Sequence, residues 1–90
     1  MVKENQLSLI YRHFVGDTKG WVEVKKSELA RLGLLDFISS SSYVKNDNVY
    51  LDEDLDFSFF LYHLGIEPEL MQVEVTDDYF NKYEKFKGEQ

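Results

Sequence analysis

The chain has 90 residues, a formal charge of −7, 43% hydrophobic and 16% aromatic residues, and no cysteine. This is the size of one domain with a modest core, and the composition is too apolar for a disordered acidic tail. Without thiols there are no disulfides and no thiolate metal sites, which for so small a domain points to the cytoplasm; Met1 to Leu9 has no apolar stretch of signal-peptide type, and runs such as Phe59 to Tyr62 are far too short to span a bilayer.

Residues 6–14 fit two periods. Leu7, Leu9 and Tyr11 alternate with Ser8 and Arg12 as in a strand, while Leu7, Ile10, Tyr11 and Phe14 also have helical spacing. A strand is expected, because Trp21 to Val24, beyond the loop Val15 to Gly20, supplies a hairpin partner. Ser27 is the expected N-cap of a short helix with Glu28 in its first turn, Leu29 and Leu32 on its apolar edge, and Gly33 as its stop. Phe37 to Val44 alternates loosely and pairs, through the turn Lys45 to Asn48, with the return strand Val49 to Leu51. Asp52 or Asp54 then caps a helix that is apolar over most of its circumference, with Leu55, Phe59 and Tyr62 in one row and Phe57, Phe60, Leu61 and Leu64 in the next. Gly65 and Pro68 end it. Glu69 to Thr76 reads as a strand, and Thr76 to Asp78 starts a last helix with Tyr79, Tyr83 and Phe86 on one face. The expectation is a single α+β domain over residues 1–90, frayed at about 1–4 and 88–90. Its order is ββαββαβα: a mainly antiparallel sheet of about four to five strands, with two to three short helices on one face.

Charge is divided along the chain. Residues 1–45 carry seven basic and five acidic side chains, a net of +2, whereas residues 46–90 carry three basic and twelve acidic, a net of −9. From Asn46 to Asn81 there are ten Asp and Glu and no Lys or Arg. Such asymmetry is a partner signal more than a fold signal. It also repels nucleic-acid phosphates and anionic lipid headgroups, so neither direct nucleic-acid binding nor a membrane is expected.

No constellation of catalytic type is found. Asp52, Asp54 and Asp56 match positions 1, 3 and 5 of a calcium loop, but Phe57 stands where glycine is required and His63 where a bidentate Glu is needed. Capping and dipole compensation account for these acids. His13 and His63 have no zinc-type spacing, and His63 suits a helix C-terminus. The serines Ser39 to Ser42 lack a nucleophile-elbow context, and the glycines form no phosphate-binding loop. The basic side chains Lys19, Lys25, Lys26 and Arg31 are too sparse for a nucleic-acid footprint.

The sequence thus reads as a non-enzymatic protein-interaction or regulatory module with no metal or cofactor. Its candidate acidic interaction surface is Asp47, Glu53, Asp56, Glu67, Glu69, Glu74, Asp77 and Asp78, and its candidate aromatic interface is Tyr79, Tyr83 and Phe86. The expected partner is a protein, with a basic surface as one form and a second copy of the chain as another. One alternative is an acidic DNA mimic that occupies the basic groove of a nucleic-acid-binding protein. A small metal-dependent protein or enzyme is the second.

Overall fold

The computed structural model describes residues 9–87. The strand-or-helix reading of residues 6–8 and the expected fraying at 1–4 and 88–90 lie outside them. The chain forms β1 (Ile10–Val15), β2 (Gly20–Lys25), α1 (Lys26–Arg31), β3 (Tyr43–Lys45), β4 (Asn48–Asp52), α2 (Asp56–Leu64), β5 (Glu69–Glu74) and β6 (Glu84–Lys85), with 3-10 turns at Leu35–Phe37 and Tyr79–Lys82. The six strands make one mixed sheet in the order β5-β1-β2-β4-β3-β6. Four of the pairings are antiparallel; β1 and β5 are parallel, from Ile10 beside Glu69 to Val15 beside Glu74.

Local chemistry places several boundaries. α1 stops at Gly33, whose φ of +75° suits a residue without Cβ. There Gly33 N–H donates to the Ala30 carbonyl and Leu34 N–H to the Leu29 carbonyl, at 3.0 and 2.9 Å. Leu29 and Leu34 are both buried in the same core, the apolar contact that accompanies such a cap. Asn46, with φ +56°, turns the β3–β4 hairpin, and Gly65, with φ +85°, ends α2.

Alternation along the strands gives the sheet two different faces. Tyr11, Val22, Val24, Val49 and Leu51 point to one, where α1 and α2 cover them with Leu29, Phe57 and Phe60. Leu29 and Phe60 are fully buried, each contributing on the order of 1.5–3 kcal/mol from the area removed from water. Phe14, Trp21 and Tyr50 point to the other face, where the turn Tyr79–Lys82 drives Phe80 among them. Phe80 meets Trp21 at 4.7 Å and Tyr50 at 5.1 Å between ring centroids, and stacks on Tyr43 at 5.2 Å. Among the described residues no acceptor meets the buried Trp21 Nε1, and its ring is held by the aromatic contacts around it.

The expected architecture therefore needs correcting in its parts. Six strands replace four to five, and the sheet is covered on both faces. The last helix is only a short 3-10 segment, Tyr79–Lys82, and the final element is a strand. After the 3-10 turn the chain extends as β6 beside β3, and Phe86 N–H donates to the Ser42 carbonyl at 2.8 Å. Of the expected strand Phe37 to Val44, the strand proper begins at Tyr43; Ile38 is drawn into the helix-side core and Ser39 to Ser42 form a turn. Ser27 lies inside α1, which starts at Lys26 with no side-chain cap, and α2 starts at Asp56 rather than under Asp52 or Asp54. Asp52 instead accepts the Asp54 N–H at 2.8 Å in the preceding turn. Of the two apolar rows on α2, Phe57 and Phe60 are buried, while Leu55 and Tyr62 face outward, 55% and 83% exposed. The pairing of β5 with β1 also makes β4, α2 and β5 a crossover. β4 and β5 run parallel with β2 and β1 between them, and the helix spans that gap on the core face.

Candidate interaction surface

The ten acids of the basic-free stretch fall into different environments. Asp56, at the first position of α2, is 3% exposed. Its Oδ2 accepts three hydrogen bonds, from Ser39 N–H at 3.0 Å, Ser39 Oγ at 2.8 Å and Ser42 Oγ at 2.6 Å. Ser42 Oγ in turn accepts the Asp52 N–H at 2.9 Å. The serine turn thus clamps the start of α2 to β4, and Asp56 is removed from the expected acidic surface because its charge satisfies buried donors. Asp77 locks a second junction. Its Oδ1 accepts the N–H groups of Asp17 and Thr18 at 2.6 and 3.2 Å, and its Oδ2 accepts Thr18 Oγ1 at 3.1 Å. The Thr18 N–H foremost, helped by the Thr18 hydroxyl and the Asp17 N–H, holds this exposed carboxyl below its ordinary range. Asp78 accepts the Thr76 hydroxyl at 2.5 Å.

Glu53 follows β4 and reaches His13 on β1, Oε1 to Nε2 at 2.5 Å. The pair fits over Gly20, where a Cβ would overlap Glu53 Oε1 and press on His13 Nε2. Asp47 belongs to the β3–β4 turn, at the end of the sheet where β5 begins, but three strands away. Glu53, Glu74 and Asp77 lie at the opposite end. The eight candidate carboxylates thus do not share one face. Glu67, Glu69 and Glu74 are all exposed, spread along β5 and the loop before it.

Among the described residues, β5 is one edge of the sheet. Within it, Glu69, Leu70, Met71, Gln72 and Glu74 are exposed and Val73 is half-buried. Ile10 of β1, paired with Glu69, and Ile66, in the loop before β5, are also exposed. Glu69 N–H donates to the Leu9 carbonyl and Val75 N–H to the Val15 carbonyl, at 2.8 and 2.9 Å. Backbone direction alternates along a strand, so the N–H and C=O groups of Leu70, Gln72 and Glu74 face away from β1, along the open edge. The other edge, β6, is two residues long and contains Lys85, with Lys82 just before it and Lys87 just after. Brevity and lysines are the usual ways of blunting an edge. β5 has neither.

The expected aromatic interface divides. Phe86 is 2% exposed in the helix-side core and Tyr83 packs half-buried against the aromatic core on the opposite face. Tyr79 is 41% exposed, stacked on Phe14 at 5.7 Å, and a hydrogen bond with Tyr83 raises its phenol above the ordinary range. Helical spacing suggested one shared face. An irregular segment instead delivers successive rings to different cores.

Beside the aromatic cover, the same face of the sheet carries a shallow depression lined by Ile10, Arg12, Glu23, Lys25 and Asn48. Arg12 Nε and Nη2 donate to the two Glu23 oxygens at 2.9 and 2.8 Å, and Tyr50 O–H donates to Glu23 at 2.8 Å. Burial pushes the Glu23 carboxyl up, but these donors outweigh it and hold the group below its ordinary range. The guanidinium is committed to this bridge. Among the described residues, no three His, Asp or Glu side chains converge as a metal-holding group, and no helix is long and apolar enough to cross a membrane. No family model, no curated protein and no solved structure matches the chain.

Proposed function

We propose that this chain is a non-enzymatic protein-interaction module whose partner carries a basic surface. One observation carries the reading. Among the described residues, six of the eight large apolar side chains that stay exposed lie within the stretch lacking Lys and Arg: Leu55, Tyr62, Ile66, Leu70, Met71 and Tyr79. Exposed apolar groups set among uncompensated carboxylates suit an interface that gains affinity from apolar burial and encounter rate from charge. The DNA-mimic alternative draws on the same charge but needs the carboxylates on one face, and the eight candidates are dispersed. Nothing favours the small-enzyme alternative over it, since Arg12, Glu23, His13 and Glu53 are paired with one another.

The test is affinity capture from host extract on the immobilised chain at low salt, followed by elution at rising salt. A specific protein that releases as salt screens the contact is expected. Failure to retain any protein at low salt would sink the reading, and a partner held unchanged at high salt would remove its electrostatic part.

A further inference from the structure

Resting on that reading, we propose how the partner is held: an extended segment adds to the sheet along the open edge of β5. This segment is apolar at its centre and carries two Lys or Arg residues about five positions apart. Three features of the edge specify it.

First, Leu70, Gln72 and Glu74 offer outward N–H and C=O groups, enough for the ladder of a short added strand. Pro68 lies before β5, so no backbone donor is lost within the strand itself. Second, the side chains flanking the ladder are apolar on both sides of the sheet. Leu70 projects to the helix-covered face, with Ile66 of the preceding loop also exposed; Met71 projects to the other, beside Arg12 on β1, with Ile10 two residues before it on the same face. The four apolar side chains are between 41% and 55% exposed. An incoming strand therefore finds apolar contacts for both of its alternating rows. Third, Glu69 and Glu74 bracket the apolar centre. Five residues apart in a strand, they are separated by about 17 Å and project to opposite faces. A paired strand meets both with cations at the same five-residue spacing, and opposite charges across a strand pair are stabilising.

Charge decides between occupants. A second copy of β5 would bring another Glu69 and Glu74 and no Lys or Arg from anywhere between residues 46 and 81. A basic segment supplies what the edge lacks. β6, short and flanked by lysines, offers no equivalent site.

The experiment uses the full chain and three labelled nine-residue peptides, read by fluorescence anisotropy. The probe has valines between two lysines placed five positions apart, with threonines outside them. One control has glutamates in place of the lysines, and the other has the same lysines in a glycine-serine background. The probe is expected to bind at least about tenfold tighter than either control. Gln72→Pro removes the central outward N–H while leaving the ladder to β1, and weakens the probe by at least about tenfold. The double variant E69K/E74K, at exposed positions, keeps the fold by circular dichroism and reverses the preference toward the glutamate peptide. No binding of the probe up to millimolar concentration overturns the proposal, as does equal binding by folded Gln72→Pro. A dimer by light scattering that Gln72→Pro dissociates assigns the edge to a second copy and also overturns it. If a partner captured from host extract is retained by Gln72→Pro, the edge is wrong while the interaction module stands.

Discussion

The start of α2 and the strand β5 come from the same basic-free run, yet their carboxylates have different fates. At the β4–α2 junction, Asp56 is buried and its Oδ2 is saturated by Ser39 and Ser42. On β5, Glu69 and Glu74 are exposed at the ends of an edge that no other described strand pairs with. Charge density in the sequence does not separate the two regions. What separates them is whether local donors exist: the serine turn brings three to Asp56, whereas β5 leaves its carboxylates facing outward.

The largest effect should therefore come from the junction. Asp56→Ala leaves two serine hydroxyls and a backbone N–H without their acceptor, and about 3 kcal/mol of unfolding free energy should be lost in urea titration. A loss below about 1 kcal/mol would place Asp56 with the β5 glutamates and break the comparison.

Next comes the alkaline limb. Tyr11 donates to Glu28 at 2.7 Å and Tyr50 to Glu23 at 2.8 Å. Burial first, and these carboxylates second, push both phenols well above the ordinary tyrosine range. A folded pKa above the unfolded value of about 10 means full stabilisation below that pH and progressive loss above it. Absorbance titration should show at least two tyrosines, Tyr11 and Tyr50, resisting ionisation until the chain unfolds. All six tyrosines ionising near pH 10 in the folded chain would contradict these bonds.

A smaller effect, with the opposite pH dependence, is expected at Asp77. Its carboxyl is held below the usual range, so its contribution is present above the unfolded pKa, near 3.9, and is lost as pH falls through the lower folded value. Asp77→Asn should lower Tm at neutral pH, and the gap to the wild-type chain should close under strongly acidic conditions. A constant gap would mean that the charge is not what latches the loop.

The smallest change is expected on β5. The double variant E69Q/E74Q should shift unfolding free energy by less than about 0.5 kcal/mol, since among the described residues neither carboxylate serves a folded-state donor. Hydrogen exchange sharpens the contrast within the same strand. The amides of Leu70, Gln72 and Glu74 should exchange rapidly, while those of Met71 and Val73, turned toward β1, should be protected. Equal protection along β5 would mean that its outer edge is already paired.

Features that depend on neighbours in the chain were legible without the structure. Gly33, Asn46 and Gly65 ended or turned their elements because backbone conformation at those positions is a local property. The β5 residues Glu69 to Glu74 could be read from alternation, as could the strand character of Ile10 to Phe14. The terminal helix stops after Lys82, as a 3-10 segment, for a physical reason. Tyr79, Tyr83 and Phe86 have helical spacing, but Phe80 is the ring the aromatic core takes, and Phe86 goes to the other core through an extended chain. Periodicity cannot register two separate destinations. The strand expected over Phe37 to Val44 failed similarly, because Ser39 and Ser42 are used by Asp56, 14 to 17 positions away.

The sequence by itself determined an acidic, cysteine-free α+β chain, its strongest turns, and a long stretch without positive charge, since these depend on composition and on φ/ψ preferences of single residues. Only the tertiary structure decided which acids are consumed and which are left open. The parallel pairing of β5 with β1, from Ile10 beside Glu69 to Val15 beside Glu74, is a contact between segments 59 positions apart. No local preference encodes it. It arises because α2 must lay Phe57 and Phe60 across the sheet, and the crossover that does so carries β5 to the far edge.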